Sequence, residues 1–304
     1  MNKLVLWSRA RRTADRAVEL ASALDAGLPP QSALRSIGVA ADVQHGIASA
    51  LRRADFALTA AEFELLDACE RAGRLPPALR RLAESRNAWR ERQQVLAAAL
   101  AYPALLWALA LLLCFTLVPT GRTLGITLAG VVLATAGLIT WTLFRMRRAQ
   151  DDPGVDPRRW PALGAALSDA AEIPYLEALA ALHGAGVRID EAHRIATRTV
   201  PLAATRARMV AATRGVESGR PLVEELASHG ALGAESIELL AHAERNGTLE
   251  EALARAVARR REMCAIRSRR LARGLGSLAY LSAALVVLLV ALNFYGGLFT
   301  NLQR

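Results

Sequence analysis

The sequence is poor in residue types that many soluble enzymes and nucleic-acid-binding domains use. Lys3 is the only lysine, aromatic residues make up 5% of the chain, and there are three cysteines. With no aromatic platform for stacking bases and no known binding motif, the formal charge of +10 does not indicate a nucleic-acid partner. Cys69, Cys114 and Cys264 show no short metal-binding spacing, so we predict neither a metal site nor a cofactor.

Charged residues are also absent from three long segments, residues 95–121, 123–144 and 274–303. Because an α-helix rises about 1.5 Å per residue, about 20 apolar residues cross the hydrocarbon core of a membrane. We therefore predict transmembrane helices at residues 97–119, 123–144 and 275–299. Buried core helices are the alternative, but such helices usually keep a polar stripe.

The basic residues lie almost entirely in two parts of the chain. Of 38 arginines and lysines, only Arg122 and Arg304 fall outside residues 1–100 and 145–275. Cytoplasmic parts of membrane proteins carry the excess of basic residues, so both parts are predicted to lie in the cytoplasm. A multi-pass protein of the bacterial inner membrane with a cytoplasmic N-terminus and a periplasmic C-terminus is expected.

A ten-residue segment of the chain occurs twice. Residues 66–75 recur, with five identities, as residues 240–249, and the similarity continues through Leu79/Leu253 and Arg81/Arg255. Such internal repetition indicates a repeated structural unit. Helical spacing of apolar residues, punctuated by glycine and proline and without period-2 alternation, predicts an all-α fold.

The predicted organisation has two repeated cytoplasmic helical bundles, residues 1–96 and 172–274, joined through the first two spans and a cytoplasmic linker, residues 145–171. Glycine, proline and capping residues set the expected helix boundaries. The helices predicted for the first bundle are 10–26, 30–38, 42–54, 59–72 and one from residue 75 onward. Those predicted for the second bundle are 174–185, 189–199, 202–217, 221–227, 234–246 and one from residue 249 onward.

The candidate motif residues are repeated turns between helices. Glycine is favoured where a helix ends in a left-handed residue, because a Cβ atom is penalised there. A glutamate three residues before such a glycine lies near a helix C-terminus, where negative charge is unfavourable. The candidate structural or partner-contact residues are Gly27, Glu70, Gly73, Leu75, Gly186, Glu244, Gly247 and Leu249. For the two glutamates, the alternatives are an ion pair with Arg81 or Arg255 and a contact with a partner protein.

On these residues the chain resembles the F family of type II secretion systems, the inner-membrane platform proteins also found in type IV pilus machines. The opening motif of that family resembles residues 26–34 and, less closely, 185–192. Its turn motif resembles residues 70–75 and 244–249, with Cys69 and Ala243 in place of the first glycine. Tyr102 and Pro103 also resemble the family pattern at the start of the first membrane helix.

The resemblance implies a scaffold that catalyses nothing. Such a platform is expected to couple a cytoplasmic hexameric ATPase to the assembly of pilins or pseudopilins for protein export. The other expected partners are further inner-membrane assembly-platform proteins, membrane lipid and additional copies of the chain.

Two other classes of protein are weighed against this interpretation. An enzyme is disfavoured because the sequence has no phosphate-binding loop motif, no nucleophile-elbow motif, and no carboxylate or histidine within the predicted spans. A small membrane transporter or another membrane scaffold is the alternative function. The duplicated part is the soluble bundle, however, and the spans carry no charged site at the membrane midplane.

Overall fold

The structure is a computed structural model that describes residues 3–40, 43–54, 56, 58–88, 94, 105, 141, 144–145, 147–160 and 164–302. Throughout these residues the regular secondary structure is helical, with no strand. The predicted all-α class is confirmed.

A first helical segment precedes residue 89. It contains α1 (Lys3–Asp25), α2 (Pro30–Ser36), α3 (Ile47–Arg53), α4 (Ala60–Arg71) and α5, whose described part covers residues 75–88. A second helical segment follows the 3-10 turn Pro157–Arg159. It contains α6 (Gly164–Gly184), α7 (Ile189–Thr197), α8 (Ala203–Glu217), α9 (Leu222–Ser228), α10 (Ala234–Asn246) and α11 (Leu249–Leu302).

Local sequence explains how several of these helices begin. Proline at the first turn of α2 uses a position where the missing N–H would have no intrahelical partner. At the start of α4, Thr59 and Glu62 form a capping box, in which the Glu62 N–H donates to Thr59 Oγ1 (3.2 Å) and the Thr59 N–H donates to Glu62 Oε2 (2.8 Å). The start of α4 is therefore fixed by its own residues.

The chain forms two compact units. The first comprises residues 1–91 and 149–265, so it contains the first helical segment and the second one as far as Ala265. One cluster of buried apolar residues runs through both segments, and α4 packs against α6 and α7. The second unit comprises residues 92–148 and 266–304, which include the three predicted spans.

The predicted membrane spans remain predictions. Residues 97–119 and 123–144 lie outside the described residues except for positions 105, 141 and 144. Residues 275–299 fall within α11, which is helical from Leu249 to Leu302. Among the residues that the structure describes, no helix has both the length and the apolar character needed to cross a membrane.

Three helix starts differ by five residues or more from the sequence-based expectation. Helix α1 begins at Lys3, seven residues before the expected start at residue 10. Helix α6 begins at Gly164, so Pro174 lies inside a helix that we expected it to begin. The turns before Pro174 carry Asp169 and Glu172, whose buried ion pairs with α11 hold them in place. The expected linker, residues 145–171, therefore includes the start of α6. Helix α3 begins at Ile47 instead of residue 42, because Gly46 adopts φ +88°, which no helical residue has.

Candidate functional site

The repeated glutamates bind the beginnings of short helices. The backbone N–H groups of Ile47 and Ala48 donate to the two carboxylate oxygens of Glu70, at 2.6 and 2.9 Å. In the second segment, the N–H groups of Leu222 and Val223 donate to Glu244 at the same two distances. The first N–H groups of a helix have no intrahelical partner and carry partial positive charge, so each carboxylate satisfies and neutralises a helix N-terminus.

These caps come from outside the helices that they serve. The N-cap residues of α3 and α9 are Gly46 and Pro221, and neither makes a side-chain capping bond. A Cβ atom at Gly46 would lie 3.0 Å from both Glu70 oxygens. Glycine therefore leaves room for the carboxylate, and the distant glutamate replaces the Ser, Thr, Asp or Asn that usually caps a helix.

Neither alternative for the two glutamates, an ion pair with Arg81 or Arg255 or a contact with a partner protein, predicted these backbone contacts. Arg255 pairs instead with Glu251 on its own helix, at 3.9 Å. Although Glu70 and Glu244 lie near the C-termini of α4 and α10, their charge is directed at the N-termini of α3 and α9. Both side chains are half-buried.

The four candidate glycines adopt the left-handed conformation, with φ between +71° and +82°. At each corner the residue after the glycine donates its N–H to a carbonyl five positions earlier. Arg74 donates to Cys69 at 2.8 Å and Thr248 to Ala243 at 3.0 Å. This is a Schellman termination, in which glycine avoids the Cβ penalty. Leu75 and Leu249 follow the corners and are buried in the core.

A second contact that occurs in both segments was not predicted from the sequence. Arg86 of α5 donates to Glu62 (3.0 Å) and Thr13 (2.8 Å). Arg260 of α11 donates to Ser236 Oγ (2.8 Å) and Asp169 Oδ1 (2.6 Å). Each arginine lies 24 residues after its partner on α4 or α10 and also reaches the first helix of its segment. The sequence contains a signal for this contact, because arginines at positions 86 and 260 are separated by the same number of residues as Glu70 and Glu244.

The contacts of Arg260 are the more deeply buried. Arg260 is 7% exposed, and its partners Asp169 and Glu172 are 3% and 1% exposed. Burial raises the pKa of Glu172, while the Arg260 charge 3.1 Å away opposes that rise. A Cβ atom at Gly233 would lie 2.1 Å from the Arg260 guanidinium, so glycine at this position leaves space for the arginine.

A buried histidine joins three helices of the second segment. His193 of α7 is fully buried; its Nδ1 lies 2.9 Å from the Tyr175 hydroxyl and its Nε2 lies 3.1 Å from the Met209 carbonyl. Because a carbonyl only accepts, Nε2 carries the proton, and Nδ1 accepts from Tyr175. Burial lowers the pKa of His193 to about 4. The neutral ring thus has a structural role between α6, α7 and α8.

The two segments use equivalent helices differently. On α4, Glu64 pairs with Arg198 and Arg71 with Glu191 (3.7 Å), and Ala68 between them is buried. On α10, Glu238 is equivalent to Glu64, Arg245 to Arg71 and His242 to Ala68. All three residues of α10 are exposed. The α4 face therefore holds the two segments together, and the α10 face remains on the surface of the first unit.

The described residues offer no arrangement suited to a metal-dependent site. Among them, no group of three or more His, Cys, Asp or Glu side chains is placed to hold a metal ion. Cys69 is buried, and desolvation raises the pKa of its thiol to about 11, which is opposite to the shift of a reactive cysteine.

Comparison with known proteins identifies the second helical segment. Residues 175–297 match the family model described as Type II secretion system (T2SS), protein F. The match includes the corner formed by Glu244, Gly247 and Leu249, and confirms the family resemblance there. No curated protein matches the chain.

Proposed function

Because residues 175–297 match the family model of type II secretion system protein F, which implies a role in type II secretion or type IV pilus systems, we propose a specific role for the chain. It is a non-enzymatic platform protein of the inner membrane that couples a cytoplasmic hexameric ATPase to the assembly of pilins or pseudopilins. The first helical segment is a second copy of the same unit, and residues 97–119, 123–144 and 275–299 cross the membrane.

The observation that best supports this proposal is the doubled carboxylate cap. In each segment the glutamate fixes a short helix to the corner that leads into α5 or α11. In the sequence, α5 precedes the first predicted span, and α11 contains the third. A rigid corner at that position would transmit a displacement of the cytoplasmic unit into the membrane helices. Additional copies of the chain and other assembly-platform proteins are the proposed lateral partners.

The first segment provides a test of the ATPase contact. Arg74 and Arg81 are exposed beside the first corner, whereas Arg80 forms an ion pair with Asp25 and is left intact. We expect the variant R74E/R81E to lower co-purification of the secretion ATPase. R255E, at the position equivalent to Arg81, is the control. Unchanged recovery with R74E/R81E would exclude this face, and equal loss with R255E would indicate an effect of charge alone.

The role itself is tested in the native bacterium. Deleting the gene should abolish secretion or piliation, and the full chain should restore it and be recovered with the inner membrane after alkaline extraction. Normal export in the deletion strain would overturn the platform role. Nucleotide hydrolysis by the purified chain, or solute flux into proteoliposomes, would favour an enzyme or a transporter instead.

A further inference from the structure

Seven of the eight arginines of α11 fall into two groups. Those nearer its beginning have acidic partners: Arg255 pairs with Glu251, Arg259 with Glu235, Arg260 with Asp169 and Arg261 with Glu177. Arg269, Arg270 and Arg273 are exposed and have no acidic partner among the residues that the structure describes. Three neighbouring positive charges are thus left for a ligand of opposite charge.

These arginines begin an exposed stripe whose chemistry changes along the helix. After Arg273 the exposed side chains include Ser277, Tyr280, Leu281, Ala284 and Leu288. At about 100° per residue, the positions from 269 to 288 fall within roughly a third of the helix circumference. The order along one face is therefore basic, then aromatic, then aliphatic.

The spacing of this stripe fits one half of a bilayer. At about 1.5 Å per residue, Tyr280 lies about 10 Å beyond Arg273, and Leu288 lies about 12 Å beyond Tyr280. Tyrosine is enriched at the boundary between headgroups and acyl chains, and arginine on the cytoplasmic side of it. A soluble acidic protein would account for the arginines, but not for exposed Tyr280, Leu281 and Leu288 on the same face.

Another part of the second unit shows the same order in reverse. Trp141 and Phe144 are more than half exposed, and the guanidinium of Arg145 lies 4.9 Å from the centre of the Trp141 ring. Here the aromatic residues come first in the chain and the basic residue follows, as expected for a segment that leaves the bilayer where α11 enters it.

We propose that Arg269, Arg270 and Arg273 form a binding site for the headgroups of anionic phospholipids. Tyr280 lies at the boundary of the headgroup layer, and Leu281 and Leu288 contact acyl chains. This inference rests on the proposed membrane crossing by residues 275–299 and on the exposed face of α11, but it does not require coupling to an ATPase.

The test uses the full chain purified in a neutral detergent. Native mass spectrometry with phosphatidylglycerol and phosphatidylcholine of the same acyl chains gives the binding preference. We expect the wild type to prefer phosphatidylglycerol and R269Q/R270Q/R273Q to lose about tenfold or more of that preference, since each arginine near an anionic surface contributes severalfold. The lysine variant R269K/R270K/R273K should keep most of it, because the site recognises charge.

A matched control removes the same charge elsewhere. R194Q/R214Q/R245Q changes three exposed arginines of the first unit and should leave the preference unchanged. Equal binding of both lipids by the wild type, an undiminished preference in R269Q/R270Q/R273Q, or an equal loss in the control would each overturn the proposal. If the glutamine variant fails to fold, the salt dependence of the wild type decides, because a preference insensitive to salt would contradict an exposed electrostatic site.

Discussion

At the scale of single residues, the repeated glutamate has a role that its position in sequence conceals. Glu70 and Glu244 lie near the C-termini of their own helices, where a negative charge is unfavourable. Each compensates by accepting two N–H bonds at the N-terminus of another helix. Hydrogen bonds to an ionised acceptor are stronger than neutral ones, so each corner is held by two charge-assisted bonds.

Substitution of either glutamate by glutamine should loosen the helix that it caps. The amide oxygen accepts from one N–H, but the NH2 group faces the other, so we expect a loss of about 1–2 kcal/mol in the free energy of unfolding. Hydrogen exchange gives a local readout. E70Q should raise exchange at Ile47 and Ala48 and spare Leu222 and Val223, and E244Q should do the reverse. Glu217→Gln, at an exposed position, is the control.

The buried histidine predicts an acid-sensitive second segment. The pKa of His193 is about 4 in the folded protein and about 6.5 in an unfolded chain. Above pH 6.5 both forms are neutral. Below it only the unfolded chain takes up the proton, so stability decreases as the pH falls toward 4, by about 3 kcal/mol in all. Urea unfolding of the wild type and H193Q across this range checks the sign. The same slope in both proteins would contradict it.

At the scale of elements, local sequence patterns predicted most of the helices but not the contacts between them. Glycine corners and the Thr59 capping box are encoded within a few residues, so α2 and α10 begin as predicted and α4 begins one residue later. The predicted start of α6 at Pro174 was wrong, because that prediction assumed that the proline marks the first turn of a helix. Here the buried partners of Asp169 and Glu172 lie about 90 residues away on α11, beyond the reach of periodicity.

The two segments also differ in the number of residues between two equivalent helices. Between α2 and α3 lie residues 37–46, whereas residues 198–221 lie between α7 and α9 and include the 15-residue α8. The described residues of 37–46 form no helix. Helix α8 supplies the Met209 carbonyl that orients His193. The histidine cluster therefore belongs to the second segment, and the repeated sequence offered no signal for it.

The repeated arginines predict unequal costs at equivalent positions. R260M removes the Arg260 charge from the buried carboxylates of Asp169 and Glu172, with Arg158 staying 3.5 Å from Glu172, and should cost about 3–5 kcal/mol. Arg86 is the matched position, and its partner Glu62 is 24% exposed, so R86M should cost about 1 kcal/mol. Thermal unfolding of the full chain measures both. Recovery of stability in R260M/D169N/E172Q would show that the buried carboxylates cause the loss. Equal effects of R260M and R86M would contradict this account.

At the scale of the whole molecule, the first unit joins its two segments through unlike surfaces. The α4 face meets α6 and α7, so the contact pairs one surface of the first segment with a different surface of the second. Such a head-to-tail contact leaves the equivalent face of α10 unused within the unit. The repeat in the sequence predicted two similar segments, but it contained no information on which of the two equivalent faces would be buried.

This asymmetry gives opposite expectations for one substitution at two equivalent sites. Ala68 is 3% exposed between the ion-paired Glu64 and Arg71, so A68R forces a charge into the contact and should cost about 2–4 kcal/mol. His242 is the equivalent residue on α10 and is exposed, so H242R should change stability by less than about 0.5 kcal/mol. Hydrogen exchange locates the effect, because A68R should increase exchange in α7, where the partners of α4 lie. A large loss in H242R would mean that the α10 face is covered in the assembled protein, as lateral contact between copies of the chain would require.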